Sequence, residues 1–259
     1  MVCAGFMQRM PNAIQLTDLD PDGLADLYAY PIGLADPWVR VNFVASIDGA
    51  ATSGDVTAAL GTPADKRVFK LLRDLADVVL VGAGTVRTEN YGGARTDAAR
   101  RRSLHDRSRG GHPDGAPPPI AVVTASAALE PTCRLLTDTT VPPLIITAAA
   151  APADRKEKLA AAGAEVIEAG EVAVTAKALL AALAERGLHR VLCEGGPHLF
   201  GQLIEADLVD ELCLTTAPVL VGGTAGRISL SAREFHQHMH RRHMILDDDG
   251  TVLTRWARR

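Results

Sequence analysis

A succession of short, largely apolar runs constrains this chain more than any other feature. Val78-Val-Leu-Val81 is followed by Ile120-Ala-Val-Val-Thr124, Leu144-Ile-Ile-Thr147, Ala164-Glu-Val-Ile167 and Arg190-Val-Leu-Cys193. A strand without polar alternation suits burial on both faces, the situation of a parallel sheet covered by helices on each side. Ala-rich helical stretches separate the later runs, roughly Pro152 to Ala162 and Thr175 to Arg186, the second stopped by Gly187. Thr62-Pro63 has the form of a helix start, and Val68, Leu71, Leu72 and Leu75 recur behind it at helical spacing. This alternation predicts an α/β fold with a mostly parallel central sheet and right-handed crossovers. Trp38 to Ser46 reads as a further strand leaving through Ile47-Asp48-Gly49. Toward the end, Glu211 to Ala217 is strand-like, and His243 to Leu246 and Thr251 to Arg255 flank Asp247-Asp-Asp-Gly250, which predicts an antiparallel C-terminal hairpin.

Several function classes fall away. The formal net charge of −4 gives no global attraction to nucleic acid or an acidic membrane. No apolar run approaches the ~20 residues that span a bilayer. Cys3, Cys133, Cys193 and Cys213 form no C-x-x-C pair, so they read as free, reduced thiols of a cytoplasmic protein, with no metal site. His236, His238, His240 and His243 cluster, but their polar, basic neighbours suit an exposed segment better than a metal centre. Neither a G-x-S-x-G elbow nor a P-loop is present.

From Ala94 to Pro119 six arginines run into Gly110-Gly111 and a triple proline with almost no apolar content. This predicts a long exposed loop, either a solvated insertion or an anion-contacting flap. Three glycine-bearing turns follow apolar strands: Ser46-Ile-Asp48-Gly49, Gly82-Ala-Gly84-Thr85, and Glu194-Gly195-Gly196-Pro197-His198. The last stands between a strand and a helix. It is either a tight structural turn or a phosphate cradle, because adjacent glycines let backbone amides approach a ligand at a helix N-terminus. Asp48 and Glu194 stand at the strand exits as candidate catalytic groups for supplying or relaying a proton; Asp48 serves equally well as a turn-former.

In this order the three turns resemble the reductase domain of bacterial riboflavin biosynthesis, which has the dihydrofolate-reductase-like, three-layer fold. The resemblance rests on Ser46-Ile-Asp48-Gly49, Leu71-Leu72-Arg73, Gly82-Ala-Gly-Thr85-Val86-Arg-Thr-Glu89-Asn90, Glu194-Gly195-Gly196-Pro197, Leu208-Val209-Asp210-Glu211 and Ala217-Pro218 through Gly222-Gly223, spread over residues 38 to 256. It implies an NADPH-dependent oxidoreductase that converts 5-amino-6-(5-phosphoribosylamino)uracil to its ribitylamino form. By the same resemblance Val44, Thr85 and Glu89 lie along the dinucleotide, with Gly195, Gly196, Pro197, His198, Leu199, Phe200, Gly201 and Gln202 around its phosphates. Thr57, Arg73 and Glu194 then face the substrate, with Arg73 a partner for the substrate phosphate. The arginines from Arg95 to Arg109 are placed to meet a 2′-phosphate. The family is dimeric, which implies a homodimer, and Leu212 to Val221 is a candidate contact.

The chain departs from the family pattern in places. Glu89-Asn90-Tyr91 stands where the family has Asp-Asp/Asn-Pro, Arg95 falls one position early, and Ala59 replaces a large residue. The family's zinc deaminase signature is absent, so the expectation is an N-terminal extension over 1–37 and a stand-alone reductase domain over 38–259. Because the altered residues lie on the substrate side, reduction of a related heterocycle such as dihydrofolate is the alternative; a non-catalytic NADPH sensor is the second.

Overall fold

The computed structural model describes residues 13–52 and 58–258. The strands are β1 (Ala13–Gln15), β2 (Trp38–Ser46), β3 (Val78–Gly82), β4 (Ile120–Val123), β5 (Leu144–Thr147), β6 (Glu165–Glu168), β7 (Arg190–Cys193), β8 (Glu211–Ala217), β9 (Met239–Leu246) and β10 (Val252–Arg258). They form one sheet in the order β1-β9-β10-β8-β2-β7-β3-β4-β5-β6. From β8 through β6 every neighbouring pair is parallel, and β10 pairs antiparallel with both β8 and β9. The expected parallel sheet with a late antiparallel hairpin is therefore the observed one.

Helices α1 (Pro21–Leu27), α2 (Pro63–Leu75), α3 (Ala83–Thr88), α4 (Ala98–Asp106), α5 (Arg134–Thr137), α6 (Ala153–Ala161), α7 (Ala176–Ala184) and α8 (Pro197–Glu205) complete the layers. Strand β3 shows why its sequence is apolar throughout. Val79 and Val81 pack with Leu71, Leu72 and Leu75 of α2 on one face, while Val78 and Leu80 join the cluster of α7 and α8 on the other. Thr62 caps α2, accepting from the Asp65 amide at 3.2 Å, and Thr175 caps α7 in the same way.

The segment before Trp38 is more than an appendage. β1 pairs with β9, and Leu24, Tyr28 and Tyr30 enter the core. Beneath them lies a buried charge cluster in which Glu211 accepts from Arg40 at 2.7 Å and from Arg255, with Arg40 also 3.9 Å from the centroid of the Tyr30 ring. In the candidate dimer segment, β8 has both edges paired, with β2 and β10, Leu212 and Leu214 are half-buried, and Val219 and Leu220 beyond it are exposed.

Two expectations are corrected. The arginine-rich segment is not a long exposed loop: it contains α4, and Arg101 is 1 % exposed. Arg101 donates to the carbonyls of Arg73, Asp74 and Ala76 at 2.8–3.0 Å and to Ala116 at 2.6 Å, satisfying the orphan carbonyls at the end of α2. Apolar periodicity misses such a helix because an arginine stem takes the place of a core hydrophobe. Other arginines of the segment are committed as well, Arg100 to Asp74, Arg107 to Asp22 and Arg109 to Asp26. His243 is not on an exposed segment either. Strand β9 carries it into the interior, edge-on to the Tyr28 ring at 4.8 Å, where burial first and Arg255 second lower its pKa to about 4.

Replacing Arg101 by Leu strands four buried carbonyls. It is expected to cost about 2–4 kcal/mol, read from denaturant midpoints. A folded-state pKa below the unfolded value makes protonation favour unfolding, so His243 costs stability as pH falls from 6.5 toward 4. His243→Phe is expected to gain on the wild type by up to ~3 kcal/mol across that window, with no such trend above pH 7.

Candidate active site

Strand β7 ends at Cys193, while β2 runs on beside β8 to Ser46 and β3 to Gly82. Cys193 is the register partner of both Val41 and Leu80, and the chain continues the pairing past the strands: the Glu194 amide donates to Leu80 at 2.9 Å and the Gly82 amide to Gly195 at 2.8 Å. A cavity of about 740 Å³ opens there, the usual location for a ligand in an open α/β sheet.

One wall is the turn into α8. Gly195 has φ +99°, and a Cβ on it would lie 2.9 Å from the Phe43 ring. At Gly196, the N-cap, a Cβ would lie 2.6 Å from Thr85 Oγ1. The bare backbone here is thus required by close packing of β2 and α3 against the turn. Gly196 carries no side chain to cap the first-turn amides of α8, and Pro197 occupies the first helical position.

The opposite wall is one face of α2, with Asp65, Lys66, Phe69 and Arg73 lining the cavity at helical spacing. Arg73 Nε and Nη2 donate to Glu194 Oε1 and Oε2, both at 2.7 Å, and the Tyr91 hydroxyl donates to Oε2 at 2.8 Å. The guanidinium carbon is 4.4 Å from the Phe69 ring centroid. Burial and the adjacent Glu194 push the Tyr91 phenol well above its ordinary pKa. Asp65 is half-buried and accepts from the Thr215 hydroxyl of β8 at 2.6 Å; burial raises its pKa above the ordinary carboxylate value. Arg95 and Arg134 stand at the rim, both bonded to Asp138. Beside the main cavity a second hollow of about 390 Å³ shares Gly82, Gly84, His198 and Leu199 with it and adds Arg87, Ser126 and Gln202.

Residues 37–253 match the model of the RibD C-terminal domain. The chain belongs to that family. A 2,5-diamino-6-ribosylamino-4(3H)-pyrimidinone 5′-phosphate reductase of Archaeoglobus fulgidus is 31% identical over 189 residues, 72% of this chain and 83% of that one. The riboflavin biosynthesis protein RibD of Bacillus amyloliquefaciens is 30% identical over 77% of this chain, which spans half of that protein's length. Among solved structures, a pyrimidine reductase-like protein from Corynebacterium diphtheriae superposes with a TM-score of 0.74 at 26% identity, covering 86% of this chain and 92% of its own.

Within this RibD-type domain the residues singled out in the sequence are not all at the cavity. Val44, Arg73, Thr85, Glu89, Glu194, Gly196, Pro197, His198 and Leu199 line it, and Gln202 lines the second hollow. Gly195 serves the turn behind it. Phe200 and Gly201 face the interior, Phe200 stacked on Phe43 at 5.3 Å and Gly201 against the Leu230 carbonyl. Thr57 lies outside the described residues. Asp48 does not line either hollow. It is exposed, accepting from Ser46 and from the amides of Gly222 and Val221, which hold its carboxyl down to about 2. These contacts are the ones the turn-former reading describes.

Sequence reasoning missed Asp65, Lys66 and Arg134. Tyr91 was visible only as a departure from the family pattern. Helical phase from Arg73 back along α2 would have pointed to Asp65; nothing local marks Arg134.

The Thr85 contact makes a specific prediction. Gly196→Ala is expected to lose about 1–3 kcal/mol through overpacking, and less than ~1 kcal/mol when made in Thr85→Ala, a coupling measurable in a double-mutant cycle of melting curves.

Proposed function

We propose that this protein reduces the ribosylamino group of a phosphorylated pyrimidine, 5-amino-6-(5-phosphoribosylamino)uracil or its close relative, with NADPH as the hydride source. The observation that carries the reading is the pair of hollows joined along Gly82, Gly84, His198 and Leu199, with glycine backbone and an uncapped helix N-terminus between them. Such a wall suits an extended dinucleotide whose phosphates need amides at close range. The family relationship and the name of the Archaeoglobus relative support the substrate class.

Thr85, Gly196 and the first turn of α8 would hold the dinucleotide, which when bound supplies a hydride at its nicotinamide ring. Arg87, which donates to the Ala128 carbonyl at 3.1 Å and lines the second hollow with Ser126, is the cation placed for a 2′-phosphate. Of the arginines expected there, Arg100 and Arg101 instead face Asp74 and the end of α2, and Arg107 and Arg109 face α1. Glu194 is oriented by Arg73 and Tyr91. Three donors occupy its oxygens, and a carboxylate offers about four acceptor positions, so one remains for an amino or ring N–H of the pyrimidine. Nε–H and one Nη2–H of Arg73 are spent on Glu194, and the guanidinium keeps further donors for the substrate phosphate, which the rim cations Lys66, Arg95 and Arg134 would help to hold. The resemblance supports a homodimer, and the scattered, unpaired cysteines support a cytoplasmic location.

The test is NADPH oxidation by purified protein against the phosphoribosylamino-pyrimidine and, in parallel, dihydrofolate. Turnover of the pyrimidine is expected, with NADPH bound at least tenfold tighter than NADH by fluorescence titration and Arg87→Ala narrowing that ratio to a few-fold. Reduction of dihydrofolate without turnover of the pyrimidine would overturn the reading.

A further inference from the structure

Reducing a ribosylamino group needs a proton as well as a hydride, and Asp48 and Glu194, the two carboxylates expected to supply or relay it, are poorly placed to do so. Asp48 is outside the cavity and tied into its turn. Glu194 spends both oxygens accepting from Arg73 and Tyr91. We propose that Asp65 is the proton donor, passing its carboxyl proton to the sugar ring oxygen of the substrate as the ring opens; this rests on the reading above.

Three observations converge on Asp65. The first turn of α2 sets it in the wall of the cavity, one residue before Lys66 and one turn before Phe69. From the sheet side, the Thr215 hydroxyl donates to Oδ1 at 2.6 Å, and Thr215 is the register partner of Val44, itself in the cavity wall. The Asp65 amide is fixed by the Thr62 cap, which holds this end of the helix in place. Lys66 from its own helix and Tyr28 from the end of α1 are the titratable groups facing it among the described residues, while β2 and β8 present Asn42, Val44 and Thr215. Burial outweighs Thr215 and Lys66 and raises its pKa above the ordinary carboxylate value, so the carboxyl holds its proton more tightly than a free aspartate.

The balance closes without a further reagent. The exocyclic nitrogen's lone pair forms a C=N bond to the anomeric carbon as the C–O ring bond breaks. The departing oxygen takes the proton of Asp65 and becomes a hydroxyl. The C=N carbon accepts the hydride of the reduced nicotinamide dinucleotide, and the π pair returns to nitrogen as the ribitylamine. Asp65, now ionised, stabilises the cationic C=N group while it lasts and is reprotonated from solvent.

Asp65→Asn keeps an acceptor for Thr215 and removes the proton. At pH 7 kcat is expected to fall by about 10²–10⁴-fold, with NADPH affinity and melting temperature near those of the wild type. Asp65→Glu should recover part of the rate. The wild-type rate should fall along a high-pH limb that Asp65→Asn lacks. Thr215→Val should move that limb to higher pH, because the ionised carboxyl loses a donor that favours it. Independently of turnover, the wild type should show an infrared carboxylic-acid band persisting above the ordinary aspartate pKa of ~3.9 and missing from Asp65→Asn. An Asp65→Asn enzyme with the wild-type rate and limb overturns the inference alone. A wild type that turns over no ribosylamino-pyrimidine overturns the functional reading, and this inference with it.

Discussion

The ion pair between Arg73 and Glu194 is the interaction on which the cavity depends. Its two bonds of 2.7 Å tie α2 to the end of β7, and Tyr91 adds the loop after α3 to the same carboxylate. A buried pair like this gains little net stability, because desolvation offsets most of the attraction, but losing one partner leaves an uncompensated charge. Its value is therefore geometric. With Glu194 also locked to β3 through its backbone amide, helix, sheet and loop are held in register around one side chain.

Arg73 is in turn held from behind. Arg101 closes the C-terminal carbonyls of α2, including that of Arg73 itself, and so supports the cavity wall from behind. The same economy recurs under the N-terminal segment, where Arg40, Glu211 and Arg255 form a buried cluster roofed by Tyr30 and the Leu27 and Ala29 carbonyls. In both places a guanidinium with several donors satisfies carbonyls that a shorter side chain would leave unpaired.

The chemistry then divides between the walls. The α8 wall is bare backbone and a helix N-terminus, suited to phosphates. The α2 wall carries Asp65, Lys66 and Arg73, which reaches across to orient Glu194 at the end of β7. Tyr91, the clearest departure from the family pattern, lines the cavity and bonds Glu194.

The sequence by itself determined the sheet. Runs such as Val78 to Val81 and Leu144 to Thr147 are apolar on both faces, and only a strand covered on both sides accommodates that, so period and burial leave one solution. The glycine turns were legible for the same reason: few side chains fit where backbone meets backbone. Only tertiary structure decided the rest. Arg101 and His243 are polar by composition and buried in fact, because their partners, the end of α2 and Tyr28, lie far off in the chain. Asp48 and Asp65 are both aspartates beside a turn or helix start, and no local signal ranks them. One faces solvent with amides around it and is held ionised; the other is closed in between α2 and β8 and holds its proton more tightly. Solvent access and long-range partners set a carboxyl's chemistry, and neither is a property of its sequence neighbours.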